Sequence, residues 1–186
     1  MGSLRWIGTK FAASVRFSIF LLTATLMFAI APTYAQAAPE SRNYSSSDIY
    51  AGQTLYTGQI IVSDNRLYEL QLQNDGNLVL YARTYDGWGN IVNRTALWAS
   101  NTAGRTVSRC VMQSDGNLVL YYDYYAYNYW GRYWQMYSQP VWASNTSGNP
   151  GAYLELQNDG NLVIYVNPGA NNSAYDYAIW ATGTNR

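Results

Sequence analysis

Three copies of one nine-residue pattern constrain this chain more than any other feature: Gln73–Tyr81 is QNDGNLVLY, Gln113–Tyr121 is QSDGNLVLY and Gln157–Tyr165 is QNDGNLVIY. Their starts lie 40 and 44 residues apart, and an apolar-Trp-Ala element follows each, at Trp98, Trp142 and Trp180. Repetition at this period implies like units that bury a common core. Each unit has the signature of a hairpin. Leu70 and Leu72 alternate with Glu69, Gln71 and Gln73, the period of a half-buried strand. Asn74-Asp75-Gly76-Asn77 is a turn cluster in which Gly76 can take a positive φ. Leu78–Tyr81 then supplies a return strand, with Asn77, Val79 and Tyr81 on one face and Leu78 and Leu80 on the other. The leucines are core candidates, and the opposite face is available to a ligand. The same pattern holds over Val111–Tyr121 and Leu154–Tyr165.

The unit count narrows the fold. Propellers use four or more blades and follow Trp with Asp rather than Ala. Three repeats fit three sheets around a pseudo-threefold axis, and nothing after residue 37 has a convincing helical period, so the expected class is all-β. Trp98, Trp142 and Trp180 are flanked by Leu97, Val141 and Ile179. That setting favours a shared core over sugar-stacking platforms.

Residues 1–37 have the layout of a secretory signal peptide: basic Arg5, Lys10 and Arg16, an apolar run Phe17–Ala31, and a small-residue site at Ala35-Gln36-Ala37. Cleavage after Ala37 is preferred and Ala35 would also serve; an uncleaved anchor or a buried helix is the alternative. Residues 38–48 then form a linker to a domain at 49–186, and the expected location is extracellular. Without the leader, eight arginines face eleven acids, a formal net charge of −3, with no lysine or histidine left. That balance excludes a nucleic-acid binder built on phosphate neutralisation. Catalysis is also disfavoured. Histidine is absent, the single cysteine Cys110 has no base to activate it, and the motif aspartates recur singly rather than as a facing pair. No phosphate loop or metal-ligand cluster is present, so no cofactor or metal is expected. Cys110 is expected to be a small buried hydrophobe, with an intermolecular bridge as the sharper alternative.

QxDxNxVxY three times over, with W-A-[ST] elements between, resembles the bulb-type (monocot mannose-binding) lectin family. Ile49–Leu55, IYAGQTL, is similar to that family's opening segment, and the resemblance covers roughly Ile49 to Asn185. It implies a type II β-prism of three four-stranded antiparallel sheets that binds D-mannose and mannose-rich glycans without metal or catalysis. Asp75 and Asn77 would hold the axial 2-hydroxyl, Gln73 the 3-hydroxyl and Tyr81 the 4-hydroxyl, with Val79 against the ring carbons. The second site would be Gln113, Asp115, Asn117, Val119 and Tyr121, and the third Gln157, Asp159, Asn161, Val163 and Tyr165. Members of that family often form homodimers by exchange of the C-terminal strand, which Ala178–Thr184 would allow here; the oligomeric state is left open by the sequence. Plant members commonly place a disulfide cysteine where this chain has Gly76, so that bridge is absent and stability is expected to be lower. The residue chemistry agrees with the sugar reading: hydroxyls both donate and accept, and need carboxylate, amide and phenol in a fixed array. A shallow site of that kind binds at about −4 kcal/mol, in the millimolar range, and linked sites add avidity.

Between Tyr121 and Trp142 lies an aromatic-rich extension that includes Tyr124, Tyr125, Tyr127, Tyr129, Trp130, Tyr133, Trp134 and Tyr137. Two readings remain open for residues 122–139. One is a long hairpin whose aromatics pack across strands. The other is an exposed surface for further sugar units, a second protomer or a membrane. A lectin-like antimicrobial (bacteriocin-like) protein that uses glycan binding for targeting is the alternative function.

Overall fold

The computed structural model describes residues 47–166 and 176–186, so the expected leader at 1–37 and most of the linker at 38–48 lie outside the described residues. The described chain forms twelve strands: β1 Asp48–Ile49, β2 Thr54–Tyr56, β3 Ile60–Val62, β4 Tyr68–Leu72, β5 Leu78–Tyr85, β6 Ile91–Ala99, β7 Arg109–Met112, β8 Leu118–Asn128, β9 Tyr133–Ala143, β10 Tyr153–Leu156, β11 Leu162–Val166 and β12 Tyr177–Ala181. They make three four-stranded antiparallel sheets, ordered β3-β4-β5-β6, β2-β7-β8-β9 and β1-β10-β11-β12. The all-β, three-sheet expectation is correct. Each repeat supplies three strands of one sheet. The fourth comes from the short opening stretch Asp48–Val62, which contributes β1, β2 and β3 to three different sheets.

The core is as repetitive as the sequence. Leu70, Leu72, Leu78 and Leu80 in the first sheet correspond to Cys110, Met112, Leu118 and Leu120 in the second and to Leu154, Leu156, Leu162 and Ile164 in the third; all are at most 1% exposed. Ile49, Leu55 and Ile61 add one fully buried side chain from each opening strand. Each such burial contributes about 1.5–3 kcal/mol. Cys110 therefore stands where its counterparts are leucines, as a core residue, and burial pushes its thiol pKa up to about 12. The three indoles meet as the shared-core reading requires. Trp98, Trp142 and Trp180 contact one another edge-to-face, with centroids 5.8, 5.7 and 6.1 Å apart, and pack against the buried cluster.

One residue departs from the alternation. Glu69, expected on the half-buried polar face, is fully buried. Its Oε2 accepts from Arg83, with the Arg83 Nε at 2.6 Å, and Arg94 Nε stands 3.6 Å away. A carboxylate is retained at that depth only with such partners. Local periodicity carries no sign of a partner fourteen residues away.

Candidate functional site

Three identical turns position the candidate site residues. In the first, Gln73 N donates to Asn77 O at 2.8 Å and Gly76 N to Gln73 O at 3.1 Å, with Gly76 at φ 87°. Gly116 and Gly160 repeat this at φ 88° and 84°. Glycine is required there twice over, because a Cβ on Gly76 would also fall on the Arg105 carbonyl oxygen. A disulfide cysteine at this position is therefore incompatible with the local backbone.

Asp75 Oδ1 caps the turn by accepting from Asn77 N at 3.0 Å, leaving Oδ2 as an outward acceptor on an exposed side chain. Gln73 Nε2 donates to the Tyr81 hydroxyl at 2.7 Å, which leaves the phenolic proton to be donated outward. The arrangement recurs at Gln113–Tyr121 (2.8 Å) and Asp115–Asn117 (3.0 Å), and again at Gln157–Tyr165 and Asp159–Asn161 (both 2.9 Å). The structure thus brings Gln, Asp, Asn and Tyr together in every repeat. Val79, Val119 and Val163 are only 3, 2 and 2% exposed, since each lies mid-sheet between paired neighbours. They form a small apolar floor, not a broad platform.

Residues that sequence reasoning missed hold the third leg of the array. Asn77 Oδ1 accepts from Ser100 Oγ and from Thr102 N, both at 3.1 Å. Ser100 Oγ also accepts from Leu78 N at 3.0 Å, and the Thr102 hydroxyl donates to Gly76 O at 2.7 Å. Ser144 and Thr146 do the same for Asn117, and Thr182 and Thr184 for Asn161. With its carbonyl so occupied, each Asn is oriented to present its NH₂ donors. The signal was available in the sequence: [ST]-x-T follows every Trp-Ala.

The rims of the sites differ. The strand position opposite each site tyrosine holds Glu69, Arg109 and Tyr153 respectively. Glu69 pairs with Arg83, whereas Arg109 pairs with Asp123 at 2.6 Å, so the charges are exchanged. The Arg109 guanidinium also lies 4.8 Å from the Tyr121 ring centroid. Burial pushes the Asp123 carboxyl up, but bonds from Arg109 and Ser138 outweigh it and hold the group below its ordinary 3.8. At the third site Tyr153 stacks on Tyr165 with centroids 5.9 Å apart. A cavity of about 530 Å³ opens beside it, lined by Tyr50, Tyr153, Asp48, Asp64, Glu155 and Asp176. Desolvation and then repulsion from Asp48 and Asp64 raise the Glu155 carboxyl above its ordinary 4.5. Among the described residues no three His, Cys, Asp or Glu side chains are placed to hold a metal ion.

The three-sheet architecture is the type II β-prism. A monocot mannose-binding lectin from Gastrodia elata, solved as a monomer, superposes with a TM-score of 0.52 at 36% identity, covering 76% of this chain and all of that one. Curculin-2 from Molineria latifolia is 35% identical over 105 residues, and a mannose-specific lectin from Narcissus pseudonarcissus is 41% identical over 75. These matches take in 56% and 39% of this chain, and span only 54% and 57% of the curated relatives' own lengths. No protein-family model matches the chain. The chain belongs to the monocot mannose-binding, or bulb-type, lectin family. That membership agrees with the expectation of a non-enzyme.

Proposed function

We propose that this protein is a secreted lectin that binds D-mannose and mannose-rich glycans through the three QxDxNxVxY sites. The observation that carries the reading is the threefold identity of the outward polar groups. Every repeat offers a carboxylate oxygen, an oriented amide and a phenolic hydroxyl tied to a glutamine, over a valine floor. Turn stability alone needs the Asp and Gly but not the Gln–Tyr bond. Secretion is proposed on the basic, apolar and small-residue order of residues 1–37. β12 pairs with β11 of its own chain at the edge of its sheet, a place from which it could equally pair with a second copy to give a strand-exchanged dimer.

Calorimetric titration with methyl α-mannoside tests the reading, with the triple variant Asp75→Asn, Asp115→Asn, Asp159→Asn alongside. Weak saturable binding by the parent, lost in a variant that still melts cooperatively, is expected. Absence of binding to mannose and oligomannose by folded parent protein would remove the mannose assignment.

A further inference from the structure

The β8–β9 hairpin runs far beyond the second site, and register assigns its side chains to faces. Opposed residues in an antiparallel pair share a face, and faces alternate along the strand. Tyr121 pairs with Pro140, Asp123 with Ser138, Tyr125 with Met136 and Tyr127 with Trp134. All of these pairs therefore lie on the face that carries Asn117, Val119 and Tyr121. The side chains bear this out. Arg109, Asp123 and Ser138 are joined in a network with bonds of 2.6–3.1 Å, and Tyr127 meets Trp134 across the strands with ring centroids 5.6 Å apart. The opposite face carries Tyr122, Tyr124 and Tyr137, stacked on one another at 5.3 and 5.7 Å.

Two features make the first face unlike a packing surface. Tyr127, Trp134 and Met136 are 38, 45 and 53% exposed, and β7, which pairs with β8 only over Leu118–Tyr121, does not extend alongside them. The first repeat also has a long hairpin, but there Arg83 pairs with Arg94 beyond Tyr81 and no aromatic row follows. The third repeat's β11 and β12 are only 5 residues each. Among the described residues the shelf thus belongs to one site of three. From Tyr121 to Tyr127 is about 20 Å at ordinary strand rise, long enough for several linked sugar rings.

We infer that the second site is the head of an extended groove for an oligosaccharide: a terminal mannose sits at Gln113, Asp115, Asn117 and Tyr121, the next rings pass the Arg109–Asp123–Ser138 step, and later ones lie on Tyr127 and Trp134. The inference rests on the mannose reading of the site. The alternation suits a glycan, whose rings present hydroxyls at their edges and C–H surfaces on their faces, matched here by a polar step followed by exposed aromatics. A lipid surface is the less favoured occupant. The aromatics share the sugar site's face and begin at Tyr125, before the hairpin tip, and the net charge of −3 over residues 38–186 gives no attraction to anionic headgroups. The three repeats would then share one monosaccharide specificity but differ in their appetite for longer chains.

The test uses the protein with Asp75→Asn and Asp159→Asn, so that only the second site reports. α-Linked mannopentaose should bind at least tenfold more tightly than methyl α-mannoside. Adding Tyr127→Ser and Trp134→Ser, both outside the monosaccharide site, should bring the pentaose to within about twofold of the monosaccharide and leave the latter's affinity unchanged. The Tyr127→Phe, Trp134→Phe pair should retain the advantage, which separates loss of the aromatic surface from local unfolding. A pentaose advantage untouched by the serine pair overturns the groove, as does equal loss of both sugars. Also overturning it is a tryptophan blue shift on phosphatidylcholine–phosphatidylserine vesicles with no pentaose advantage, which would assign the shelf to a membrane. If methyl mannoside itself fails to bind, the mannose reading fails; if it binds without a pentaose advantage, only the groove does.

Discussion

Thr102 and Asp75 separate the scaffold of a site from its contact surface, and replacing each should give opposite outcomes. Thr102 is 3% exposed; its hydroxyl donates to Gly76 O at 2.7 Å and lies 2.7 Å from Ser100 Oγ. Thr102→Val keeps the shape and removes the bond to Gly76 O, leaving a buried carbonyl without its partner at a cost of about 1–3 kcal/mol. For a domain of this size 1 kcal/mol corresponds to about 3 °C, so the melting temperature should fall by about 3–9 °C. Asp75 is exposed and accepts one bond, from Asn77 N, which an asparagine oxygen can still accept. Asp75→Asn should therefore shift stability by no more than about 0.5 kcal/mol while abolishing sugar binding at the first site. Thermal melts followed by circular dichroism, with calorimetric site counts on the same samples, check both. The reasoning is refuted if Thr102→Val melts within 1 °C of the parent, or if Asp75→Asn is the more destabilised of the two.

Two further outcomes follow from the titratable groups. Because the Glu155 carboxyl is raised above 4.5 by desolvation and by Asp48 and Asp64, its ionised form is unfavourable to the fold at neutral pH; Glu155→Gln should raise the melting temperature at pH 7, with the gain shrinking as pH falls through the raised pKa towards 4.5. A gain that persists at pH 4 would point to packing instead. The Cys110 thiol, fully buried and with its pKa near 12, should react with an aromatic disulfide reagent at pH 8 only as fast as the protein unfolds, and immediately in denaturant; rapid native labelling would contradict its place in the core.

The fold was legible because three intact repeats each state a strand, a turn and a strand, and Leu78, Leu80 and their counterparts mark the inward face without ambiguity. The grouping of Gln73, Asp75, Asn77 and Tyr81 was legible for the same reason: one hairpin carries them all. What local pattern could not convey was anything set by a distant partner. Glu69 is buried because Arg83 reaches it from the neighbouring strand. Asn77 is oriented by Ser100 and Thr102, more than twenty residues on. The exchanged charges at the rims, and the division of the extension's aromatics between its two faces, both depend on register, and register becomes visible only once strands are paired.

The opening stretch Asp48–Val62 has a consequence for how such a protein can be built and inherited. Because it deals one strand to each sheet, a chain that lost a repeat would not become a smaller copy of itself; it would keep an orphan strand and expose an unpaired edge. Synthesis from the N-terminus also closes the sheets in a fixed succession. The first can seal once β6 has emerged and the second once β9 has, but the third joins Asp48–Ile49 to strands that end at Ala181 and must wait for the far end of the chain. The number of sheets is thus fixed at three by the opening strands, and the third sheet stays open until the last strand arrives to close it.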